Sequence, residues 1–157
     1  MKLISAICLL FATCALGGDL YFSDMENGDR VEMTEHSFGC FHNWTHYYEV
    51  WRFDDSFLFS EYAITWDKNN PSQIVEKKNL GKMTLTAKDI KNLDALLKYY
   101  RGKKEGNSTT YTSLVVEFYE PDRRVKVENL EDGSGGMSLG KDILSLYQLS
   151  QRLPNQP

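Results

Sequence analysis

Hydrophobic positions along the chain recur first every second residue, then at helical spacing, then every second residue again. Val31 and Met33 alternate with charged or polar residues over Arg30–Glu35, the pattern of a strand with one face in the core. From Phe38 to Trp66 aromatic residues dominate. Phe41 through Trp66 contain ten of the chain's twenty, including all three Trp. Aromatic and β-branched enrichment favours strands. Asp54-Asp55-Ser56 interrupts the run with turn chemistry. The pattern therefore predicts a hairpin, Cys40–Phe53 paired with Phe57–Trp66. Asp67-Lys68-Asn69-Asn70-Pro71 reads as a loop and Lys82–Thr86 as a short strand.

At Thr86 the period changes. Ile90, Leu93, Leu97 and Tyr100 fall on one helical face, with Lys88, Lys91, Lys98 and Arg101 mostly directed to solvent. Thr86-Ala87-Lys88-Asp89 sets an acceptor at the N-cap and a carboxylate three residues on, and Gly102 provides a stop. Lys103–Thr110 is a polar loop. Tyr111–Tyr119 is a strand with Leu114, Val116 and Phe118 on one face; Pro121-Asp122 is a turn; Arg124–Glu128 alternates and completes a second hairpin. Glu131–Gly136 is a loop, after which Leu139, Ile143, Leu146 and Leu153 suit a terminal helix. The expected order is β-β-β-β-α-β-β-α. This is an α+β protein: a mostly antiparallel sheet with two helices packed on one face.

The first segment follows neither pattern. Met1-Lys2 precedes an apolar run, Leu3 to Ala12, which gives way to small residues and then charge at Asp19. That is the three-part layout of a secretory signal peptide, and the run is too short for a bilayer span of ~20 residues. Ala15-Leu16-Gly17 is a small-x-small site, so residues 1–17 read as the leader and residues 18–157 as one globular domain. The expected location is outside the cytoplasm, periplasmic or secreted. One variant changes the address. Phe11-Ala12-Thr13-Cys14 resembles a loose bacterial lipobox, and acylation of Cys14 would anchor the protein in the cell envelope. Phe11 and Thr13 both depart from that motif.

Removing the leader leaves 140 residues, 17 basic against 22 acidic, with Cys40 the sole cysteine. Such a chain has no internal disulfide, so it must stand on its packed core. The acidic balance excludes a nucleic-acid surface, which needs basic excess. Membrane contact would come only through the lipid anchor.

The chemistry-bearing residues cluster early. His36, Cys40, His42 and His46 include every histidine and the one mature cysteine. If Cys40–His46 is extended, Cys40, His42 and His46 share a face, with the first two ~6–7 Å apart. The spacing matches no zinc signature, so His36, Cys40 and His42 are weak metal candidates only. Cys40 with His42 as base would make a small thiol enzyme, but hydrolytic Cys/His pairs are usually distant in sequence. Gly135-Gly136-Met137-Ser138-Leu139-Gly140-Lys141-Asp142 nearly spells a phosphate loop; Asp142 stands where a magnesium-binding hydroxyl belongs. Asn43 and Asn107 begin glycosylation sequons. No catalytic triad or cofactor motif occurs.

On the strand Cys40–Phe53, Phe41, Tyr47, Trp51 and Phe53 point one way and Trp44 and Tyr48 the other. One face must be core. The other would present Trp44 and Tyr48 beside His42 and His46 to a protein or carbohydrate, unless helices cover it. The sequence thus predicts a non-catalytic binding, inhibitor or envelope accessory protein. Its candidate contact residues are Cys40, His42, Trp44, His46 and Tyr48. The alternative is a small extracellular metal-dependent or thiol enzyme using Cys40 and His42.

Overall fold

The computed structural model describes residues 18–40, 42–70, 73–102, 109–134 and 144–154. An N-terminal arm, residues 18–29, contains one 3-10 turn at Phe22–Asp24. Four strands follow: β1 Arg30–Gly39, β2 His42–Phe53, β3 Ser56–Trp66 and β4 Ile74–Leu85. Helix α1, Ala87–Arg101, leads to β5 Tyr111–Glu120 and β6 Arg123–Asp132, and a short α2 spans Leu146–Ser150. The strands form one sheet in the order β4-β3-β2-β1-β5-β6, every neighbouring pair antiparallel. The segment containing α1 carries the chain from the β4 edge across to β5, beside the central β1.

Register assigns the faces, because directly opposed residues lie on the same side of a sheet. Val31 faces Val50 and Phe118; Met33 faces Tyr48 and Val116; Glu35 faces His46 and Leu114. Val31, Met33, Tyr48, Val50, Leu114, Val116 and Phe59 are almost completely buried, in one cluster with Leu93, Leu96 and Leu97 of α1, Leu146 and Leu149 of α2, and Phe22 of the arm. The alternation of β1 puts residues 31, 33, 35 and 37 inside. Its last two inward positions, Glu35 and Ser37, are polar, so the core has one polar end.

Helix α1 begins where the capping spacing placed it. Thr86 Oγ1 accepts from the Asp89 backbone N–H, while the Asp89 carboxylate accepts from the Thr86 N–H and hydroxyl. Arg152, beyond α2, reaches the same carboxylate at 2.5 and 3.1 Å and ties the C-terminal turn to the helix. The arm is fastened just as closely. Phe22 is fully buried, and its N–H donates to Asp94 Oδ1 on α1 at 2.7 Å. Arg101 makes a two-pronged bond to Glu128, donates to the Leu20 carbonyl and lies over the Tyr21 ring.

Several elements extend beyond their sequence patterns. β1 continues to Gly39, and β4 begins at Ile74 rather than Lys82. Most of β4 is exposed and carries Lys77, Lys78 and Lys82, so it pairs through its backbone with no apolar alternation to reveal it. Register shifts interrupt its pairing with β3 after Glu61 and after Thr65. Lysines and bulges on an edge strand discourage pairing with other chains. In the terminal segment the described helix covers only Leu146–Ser150; Leu139 and Ile143 lie outside the described residues. So do residues 1–17 with Cys14, the Gly-rich 135–142 segment, and Asn107.

Candidate functional site

The pairing of Gly39 with His42 around the β1–β2 turn sets the phase of β2. Even-numbered residues of β2 join the odd-numbered residues of β1 on the helix side. Trp44, His46, Tyr48 and Val50 therefore face the helices, and Tyr47, Glu49, Trp51 and Phe53 face away. This corrects the idea of Tyr48 on a free surface. Tyr48 is fully buried, its ring stacked between His46 and Phe59. Trp44 is half-buried, edge-on to His46 at 4.7 Å between ring centres.

The opposite face has no helical layer among the described residues and is covered by its own side chains. Arg30 of β1 lies between two rings, its guanidinium 4.9 Å from the centre of Trp51 and 4.4 Å from that of Tyr119. Such cation–π contacts strengthen as they lose water. Arg30 pairs with Glu32, which accepts from the Tyr47 hydroxyl. Trp51 Nε1 donates to Glu49, which also binds Lys77 of β4. Lys77 sits over both Tyr47 and Tyr62. On the other side the Tyr119 hydroxyl donates to Glu117, and Arg124 of β6 completes that pair. Burial and the Glu117 bond push Tyr119 up to about 12. A band of alternating cation, ring and carboxylate thus crosses all six strands. Phe53, stacked on Trp51, is 51% exposed, and Phe38 and Val127 are also open to solvent on this face. Beside Arg30, Trp51 and Tyr119 a cleft of about 280 Å³ opens toward Arg123 and Arg124.

The helix side holds a second cluster, at the polar end of the core. Glu35 is 5% exposed and sits directly opposite His46. His46 Nδ1 is 2.8 Å from Glu61 Oε1. Among the described residues neither Glu35 Oε2 nor the Tyr48 hydroxyl oxygen has a hydrogen-bond partner. Burial lifts the Glu35 carboxyl from an ordinary 4.5 to about 7; attraction to His46 and the nearby hydroxyls of Tyr48 and Tyr100 offset only part of this. The same burial drives the Tyr48 and Tyr100 phenols upward, so both stay neutral.

His36, His46 and Cys40 are not brought into one site. His36 lies on the open face, bonded through Nε2 to Asn43 Oδ1 at 2.8 Å and stacked near Phe38, whereas His46 lies on the helix side. Cys40 is exposed in the turn, not on a strand in line with His46, because β2 starts at His42. The His42 side chain lies outside the described residues. Among the described residues no three His, Cys, Asp or Glu side chains are arranged to hold a metal ion. No described helix is long and apolar enough to cross a membrane.

Sequence reasoning missed the Arg30–Trp51–Tyr119 sandwich and the Glu35 corner. Its usable signal for the second was the clean alternation of β1: once Val31 and Met33 point inward, Glu35 must follow. The sandwich joins three residues 21 to 89 positions apart and has no local signal. No protein-family model, curated protein sequence or solved structure matches the chain.

Proposed function

We propose that this is an exported, non-catalytic binding protein that recognises a protein partner through the open face of its sheet. The observation that carries the reading is the Arg30 guanidinium held between Trp51 and Tyr119 on a face that no described helix covers. Tyr, Trp and Arg are the residues most enriched where partners bind tightly.

Charge argues for the partner's chemistry. Arg30, Lys77 and Arg124 are neutralised by Glu32, Glu49 and Glu117, and the polar ends of Tyr47, Trp51 and Tyr119 are bonded within the face. A sugar, which needs free donors and acceptors, would find few here. Ring surface and the exposed Phe38, Phe53 and Val127 remain, which suits a neutral, apolar patch on another protein. Export rests on the leader pattern of residues 1–17.

The test is a photo-cross-linking residue placed at Phe53 and, as control, at Lys98 on α1, in the protein expressed in its source. Phe53 should yield one discrete protein adduct that Lys98 does not. The partner, once purified, should lose about 2 kcal/mol of affinity to Trp51→Ala, a typical central-contact loss. Unchanged affinity in Trp51→Ala and Tyr119→Ala, both folded, would exclude this face. A glycan adduct would replace the protein partner with a carbohydrate.

A further inference from the structure

The polar end of the core is not used by the open face, and its titratable groups come from several elements. β1 supplies Glu35, β2 His46 and Tyr48, β3 Glu61, and α1 Tyr100. β5 places the uncharged Leu114 opposite Glu35, and α2 brings only the Ser150 hydroxyl near Tyr48. On the β6 side Asp132 is bound to Tyr99 and Ser134. In this corner His46 is engaged by Glu61 at 2.8 Å, while Glu35, 5% exposed, has one oxygen without a hydrogen-bond partner among the described residues.

We propose that Glu35 is a built-in proton switch: the folded protein holds its carboxyl protonated, and loss of that proton as pH rises loosens the corner where β1, β2 and the helices meet. The physical reason is that burial outweighs the few donors around the carboxyl, whose Oε2 has none among the described residues. A neutral carboxyl tolerates one idle oxygen. A carboxylate at this depth needs more compensation than His46 and the Tyr48 and Tyr100 hydroxyls supply.

The sign follows from linkage. The Glu35 carboxyl lies at about 7 when folded against 4.5 when exposed, so between those values the folded chain binds the extra proton. Stability from this group is complete below pH 4.5 and declines as pH rises through 7.

Urea unfolding of the wild type and of Glu35→Gln, at pH 5 to 8, reads the switch. The wild-type unfolding constant should rise roughly 50- to 100-fold more than that of the variant across this range. Carboxyl carbon NMR on the wild type gives a second readout, with Glu35 titrating near 7. Parallel pH profiles, or a Glu35 resonance that titrates near 4.5, would overturn the proposal. Should Glu35→Gln not fold, the resonance alone decides.

Discussion

Asp89 shows how one side chain can serve two distant parts of the chain. It caps α1 through Thr86 and anchors the C-terminal turn through Arg152. The Arg152 hydrogen bonds, with those of Thr86, hold the carboxyl down at about 2 against a desolvation effect of opposite sign. A depressed carboxylate stabilises the fold above its ordinary value of 3.8 and withdraws that support as pH falls toward 2. Asp89→Asn should therefore cost about 2 kcal/mol at neutral pH and flatten the acid limb of the stability profile. Urea melts between pH 2 and 5 would measure it. With Glu35 acting in the opposite sense, these two groups place maximum stability near pH 4.5, and folded protein at pH 8 should be the weaker. The capping half of this arrangement is legible in Thr86-Ala87-Lys88-Asp89, because a cap is a local spacing. The Arg152 half joins residues 63 positions apart and leaves no trace in local pattern.

Among the elements, legibility follows burial. β1, β5 and α1 each present a core face, so their apolar residues repeat at the period of the element, and their positions can be read from the chain. β4 is an exposed edge strand held by backbone pairing, and nothing in Glu76-Lys77-Lys78-Asn79 marks it. The arm escapes for another reason. Leu20-Tyr21-Phe22 is too short to show any period, yet Phe22 is fully buried in the core and Asp94 receives its N–H. The arm is therefore an integral part of the core. Phe22→Ala should destabilise the protein by about 3–5 kcal/mol, the usual cost of deleting a buried aromatic ring. Calorimetry would show the lowered melting temperature. A loss below about 1 kcal/mol would mean that the arm detaches freely.

For the whole molecule, the ambiguity in the sequence was which side of the sheet is which. β2 carries aromatics on both faces, so composition cannot choose. The choice is made by the tight turn at Cys40, which fixes how β2 registers against β1. That turn also determines the redox behaviour expected of the folded chain. Cys40 is exposed at the end of the sheet and is the sole cysteine beyond residue 17. Residues 18–157 hold no second thiol, so any disulfide at Cys40 within that segment must be formed with a thiol from outside it. Residues 18–157 incubated with oxidised glutathione under native conditions should gain one glutathione or form a disulfide-linked dimer. The folded protein should react within about tenfold of the urea-unfolded rate, because exposure governs access to the thiolate. Intact mass with and without reductant reads both products, and Cys40→Ser should form neither. Reaction only after unfolding would place the thiol under cover and contradict an open turn.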